Sequence, residues 1–107
     1  MNEWKVPGKI ILVHDGDTVK VDLDLGWHLH YIVSVRVAHI NAPELATEEG
    51  KVALAYAQTI LRPDADVIIT SHSLDKYGRT LASITLKDGR DFGTLMLESE
   101  NAVPYEG

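Results

Sequence analysis

The segment Thr18–Ile40, TVKVDLDLGWHLHYIVSVRVAHI, decides the fold. From Thr18 to Leu25 polar and apolar residues alternate at every step, the period of a strand with one wet and one buried face. Gly26 breaks the pattern. From Leu29 the chain resumes as a β-branched run in which Leu29, Tyr31, Val33, Val35 and Val37 share one face. Two adjacent strands are predicted, and the second ends at an abrupt corner, Asn41-Ala42-Pro43-Glu44. Proline fixes its own φ and keeps the preceding residue out of the helical region, so the chain leaves the strand rigidly there.

Outward from this pair, Lys9–Val13 forms a short apolar strand that stops at Asp15-Gly16, and residues 66–70 and 80–86 give two further strands. A helix lies between. Thr47 is placed to cap it, Glu48 and Glu49 suit the positive end of its dipole, and Pro63 stops it after Arg62. Val52, Tyr56 and Ile60, with Ala53, Ala57 and Leu61 beside them, predict its buried face. A second, short helix is predicted from about Phe92 to Glu98. This order points to a mainly β, α+β domain: a five-stranded Greek-key barrel carrying one main helix and a short C-terminal one. An open α+β sheet is the alternative.

The chain has 107 residues, enough for one domain, residues 1–107. With 45% hydrophobic and 24% charged residues it has the composition of a soluble globular protein. The absence of cysteine excludes disulfides and thiolate metal sites. No apolar run reaches membrane-spanning length and the N-terminus has no signal-like core, so a cytoplasmic protein without membrane association is expected. The net charge of −6 argues against a broad basic surface for nucleic acid and leaves room for a local one.

Three short motifs carry chemistry. Asp15-Gly16-Asp17-Thr18 reads as a tight turn between strands, or as a pair of carboxylates placed for a hard cation. Arg36, inside an apolar strand, either points outward with His28, His30 and Ser34 or is buried against an anion. Asp75-Lys76-Tyr77-Gly78-Arg79 reads as a polar hairpin connection, or as a loop whose Arg79 offers a rigid fork to phosphate oxygens. His28 and His30 suggest zinc less than exposed partners of a neighbouring strand. A turn centred on Gly26 would set Asp24 opposite His28 and Asp22 opposite His30. His39 is expected to be a structural neighbour of the corner.

Taken in order, DGDT, an arginine-bearing strand running into INAPE, a helix, and DKYGR before a strand resemble the staphylococcal nuclease (thermonuclease-like) family over roughly Ile10 to Leu97. The resemblance implies an OB-fold barrel and a metal-dependent endonuclease that hydrolyses phosphodiester bonds in DNA and/or RNA. It implies Ca²⁺ as the cofactor, with Mg²⁺ or another divalent cation as a substitute. By position, Asp17 would ligate the metal with Asp15 in support. Glu44 would be the general base, and Arg36 and Arg79 would clamp the phosphate. Lys76, Tyr77 and Tyr105 would contact the nucleotide. Phosphodiester hydrolysis uses these residue types, because water must be oriented and developing negative charge must meet fixed donors.

Two departures accompany the resemblance. The family usually has aspartate where this chain has Asn41, so a third ligand would be neutral and Ca²⁺ binding weaker. The family's final C-terminal helix also has no counterpart before Gly107. The leading expectation is thus a monomeric, Ca²⁺-dependent nuclease. The alternative is a catalytically weakened OB-fold module that binds nucleic acid or a protein partner.

Overall fold

The computed structural model describes residues 4–74 and 80–105. Its elements run β1 (Trp4–Asp15), β2 (Thr18–Asp24), β3 (His30–Val37), β4 (Ile40–Asn41), α1 (Glu48–Ile60), β5 (Asp66–Leu74), β6 (Thr80–Leu86), α2 (Phe92–Glu98) and β7 (Val103–Pro104). Five strands close a barrel in the order β1-β2-β3-β6-β5, and β4 and β7 form a separate two-stranded sheet. All barrel pairings are antiparallel except β3 with β6, which is parallel over Val35–Val37. This is the expected mainly β, OB-type architecture, closed rather than open.

The alternation in Thr18–Asp24 sets the register. Val19, Val21 and Leu23 point into the barrel with Val35 and Val37 of β3, and Ile10, Ile69 and Ile84 come from its other walls. From α2, Phe92 and Met96 are buried completely in the same core. Each such side chain contributes about 1.5–3 kcal/mol by leaving water.

The face of α1 is the expected one except at Val52, with Tyr56 and Ile60 partly buried against the core. Ala53, Ala57 and Gly50 are its buried residues and Leu61 caps it, whereas Val52 is 59% exposed. A stripe of small side chains lets the helix lie close against the barrel, and this rotates Val52 out. Thr47 caps α1 as expected, its hydroxyl accepting from the Gly50 amide at 2.9 Å.

The β2–β3 hairpin also departs from the register expected around Gly26. Asp24 lies opposite His30 and Asp22 opposite Ile32, because the tip Leu25–Leu29 is longer than a centred turn. Gly26, Trp27 and His28 take consecutive positive φ values of 85°, 53° and 63°. His28 is thus spent on the tip, while His30 reaches Asp22 diagonally, Nδ1 to Oδ1 at 3.1 Å. Among the described residues no helix is long and apolar enough to cross a membrane.

Candidate functional site

The site forms where the β1–β2 turn meets the end of β3. Gly16 and Asp17 make that turn, so the motif DGDT is both a turn and a carrier of carboxylates. A side chain at position 16 would not fit: a Cβ there would stand 2.6 Å from the Ala42 Cβ, with Ala53 and Met96 beyond. The turn is therefore pressed onto the strand-exit corner and both helices. Asp17 accepts three hydrogen bonds that fix it in place. Its carbonyl accepts from the Val37 amide at 2.9 Å, its Oδ2 from the Ala42 amide at 2.8 Å, and its Oδ1 from the Thr18 hydroxyl at 3.2 Å.

Arg36 is buried, with 8% of its surface exposed, so of the two readings open to it the paired one holds. Alternation alone sends it to the outer face of β3. There Asn41 of β4 and Tyr105, which follows β7, meet it. Its Nη1 donates to the Val37 carbonyl at 2.7 Å, and its Nη2 donates to Asn41 Oδ1 at 3.3 Å and lies 3.5 Å from Asp17 Oδ2. The Tyr105 ring covers the guanidinium, 5.6 Å from its carbon to the ring centroid. Among the described residues no buried side-chain nitrogen or oxygen lacks a partner.

The carboxylates of Asp15 and Asp17 respond to each other. Burial pushes Asp17 up from its ordinary 3.8, the hydrogen bond with Asp15 adds to this, and the Ala42 amide and the Arg36 charge do not reverse it. Burial also acts upward on Asp15, but hydrogen bonds from the Asp17 side chain and amide outweigh it and hold Asp15 below 3.8.

Among the expected site residues, Asp15, Asp17, Arg36 and Asn41 come together. Tyr105 joins them by stacking on Arg36, with its amide held by the His39 carbonyl at 2.9 Å. His39 thus serves as a backbone anchor. Glu44 stands at the rim of the corner: its carbonyl accepts from the amide and hydroxyl of Thr47, and its side chain is exposed, without a bond to Asp17, Arg36 or Asn41. The expected positions Lys76, Tyr77 and Arg79 lie outside the described residues. Two contributors carry no side-chain signal in the sequence, the Ala42 amide and the Val37 carbonyl. Only the rigid corner before Pro43 hints at the first.

The expected divalent cation can be set against these donors. Ca²⁺ takes about six to eight oxygen ligands, most tightly when several are charged. Here the buried Asp17 has both oxygens engaged, Asp15 accepts the Asp17 amide at 3.0 Å, and the one oxygen of Asn41 faces an arginine. Among the described residues no group of three or more His, Asp or Glu side chains is placed to hold a metal ion. The set fits a divalent cation poorly.

A search of curated proteins returns no match to the chain. Residues 34–106 match the profile of the family described as staphylococcal nuclease homologue. That span starts beyond Asp15 and Asp17 and includes Arg36, Asn41, Glu44 and Tyr105. With the closed five-stranded barrel and the arginine at its strand-end corner, a match over most of its length places the chain in the staphylococcal nuclease homologue family.

Proposed function

We propose that this domain holds the phosphodiester backbone of DNA or RNA at the Arg36 corner and hydrolyses it there. The observation that carries the reading is the fixed guanidinium, gripped by the Val37 carbonyl, Asn41, Asp17 and the Tyr105 ring. An arginine already ordered loses little further freedom when an anion binds, and its planar fork matches phosphate oxygens. Fixed donors of this kind stabilise charge that gathers on the phosphoryl oxygens as water adds. Glu44 is the candidate base: exposed at the rim, it orients water and takes its proton as the P–O ester bond breaks, and the departing oxygen is protonated by solvent. Arg79 supplies a second guanidinium, and Lys76 and Tyr77 contact the nucleotide.

The test is cleavage of labelled single-stranded DNA and RNA in Ca²⁺, in Mg²⁺ and in chelator. Cutting that is lost in both Arg36→Ala and Glu44→Gln, with binding kept in Glu44→Gln, supports the enzyme. A second reading, a module that binds nucleic acid without turnover, draws on the neutral Asn41 and on the absence of any bond from the Glu44 side chain to the corner. Binding with no cleavage under all three conditions assigns the chain to that reading.

A further inference from the structure

The metal-ligand role expected of Asn41 conflicts with the way its amide is used. Its single oxygen accepts from Arg36 Nη2 at 3.3 Å. An amide has one acceptor end and one donor end, so fixing the oxygen on the arginine turns the NH₂ away from it. Asn41 is exposed, and its Nδ2 has no partner among the described residues. Beside it, the Arg36 guanidinium is held by the Val37 carbonyl, Asp17 and the Tyr105 ring. The corner therefore turns the Asn41 amide donor outward, beside a fixed positive charge, where a metal site would present an acceptor.

Resting on the reading that this corner takes phosphodiesters, we propose that Asn41 is a phosphate-facing donor, and that Arg36 and Asn41 together bind a phosphate group of a nucleotide or nucleic acid without a divalent cation. An aspartate at position 41 would bring negative charge against the phosphate and would also neutralise Arg36 as a second carboxylate partner. The amide does neither. It spends its acceptor on Arg36, fixes the guanidinium, and keeps its donors for the anion. The same substitution that weakens the corner for Ca²⁺ suits it to an anion.

The experiment uses the full chain in chelator, titrated with inorganic phosphate and with a short oligothymidylate. Binding is followed calorimetrically and by nitrogen-15 NMR of the Asn41 side-chain amide and the Arg36 Nε. Saturable binding in chelator that shifts both resonances, and that Ca²⁺ leaves unchanged, is the expected result. Asn41→Asp weakens this metal-free binding by about tenfold or more, the scale of one charge-assisted hydrogen bond. It also makes binding respond to Ca²⁺. Asn41→Ala weakens it without any Ca²⁺ response, which separates loss of the donor from gain of a ligand. Oligothymidylate binding that requires Ca²⁺ in the natural sequence overturns the inference and leaves the phosphodiester reading standing. Metal-free binding that is unchanged in both Asn41 variants overturns it too. No binding under any condition removes both.

Discussion

Tyr105 lies across the guanidinium of Arg36, ring centroid to carbon 5.6 Å, and its amide is tied to the His39 carbonyl. On the proposed phosphodiester reading, the tyrosine acts through the arginine as a positioning residue. A cation–π contact of this kind is worth about 0.5–2 kcal/mol. Tyr105→Ala is expected to weaken oligonucleotide binding several-fold and broaden the Arg36 Nε resonance, whereas Tyr105→Phe, which keeps the ring, leaves both unchanged. Equal losses in the two variants would mean that the hydroxyl, not the ring, is what matters.

Removing Arg36 leaves Asp17 buried without its counter-charge. Breaking such a pair costs about 3 kcal/mol or more. Urea unfolding of Arg36→Ala at pH 7 is expected to show a loss of this order. Burial already pushes the Asp17 carboxyl up, so protonation relieves the orphaned charge and the loss shrinks as pH falls. A pH-independent loss would contradict the pairing.

Asp17 and Asp15 make opposite contributions to stability. The folded Asp17 carboxyl lies above its ordinary 3.8, so the native state binds more protons than the unfolded one. Its contribution is complete below 3.8 and is lost as pH rises through the folded value. Asp17→Asn keeps an acceptor for the Ala42 amide but leaves Arg36 without its counter-charge, so its melting temperature relative to the natural chain should rise as pH rises through the folded value, whatever the offset. Asp15 is held below 3.8, so its contribution is present above that value and is lost as pH falls through the folded one. Asp15→Asn should therefore melt lower at pH 7. Thermal melts of both variants from pH 3 to 8 check the pair of signs.

Gly50, buried in the first turn of α1, backs directly onto the Glu44 carbonyl, and a Cβ there would collide with it. Because the obstacle is backbone, relief requires the Glu44 segment to move. Gly50→Ala should lower stability by about 1–3 kcal/mol, as overpacking does. It should also reduce cleavage more than oligonucleotide binding, since Arg36 is held by other elements. A variant as stable and active as the natural chain would show that the corner yields freely.

The barrel was readable because its long strands alternate, and a period of two leaves little choice of face. The short elements were not. A two-residue strand such as β4 or β7 has no periodicity, and β1 begins five residues before the predicted Lys9 because Pro7 and Gly8 hide a strand that pairs on through them. The site residues Asp17, Arg36 and Asn41 were visible as types in motifs. Their use was not: burial of Arg36 depends on β7 returning from the far end of the chain, and the direction of the Asn41 amide depends on the arginine it meets.

That return has a consequence for timing. β4 and β7 pair Ile40 with Pro104 and Asn41 with Val103, residues far apart in sequence, and two strands of two residues each add little adhesion of their own. Loop closure over such a separation is slow, and it follows the contacts that bring the ends together. In a chain emerging residue by residue, the barrel has all its strands once Leu86 is made, yet the clamp on Arg36 waits for Tyr105. Assembly of the barrel and closure over Arg36 are thus expected to be separable steps, with the corner closing last.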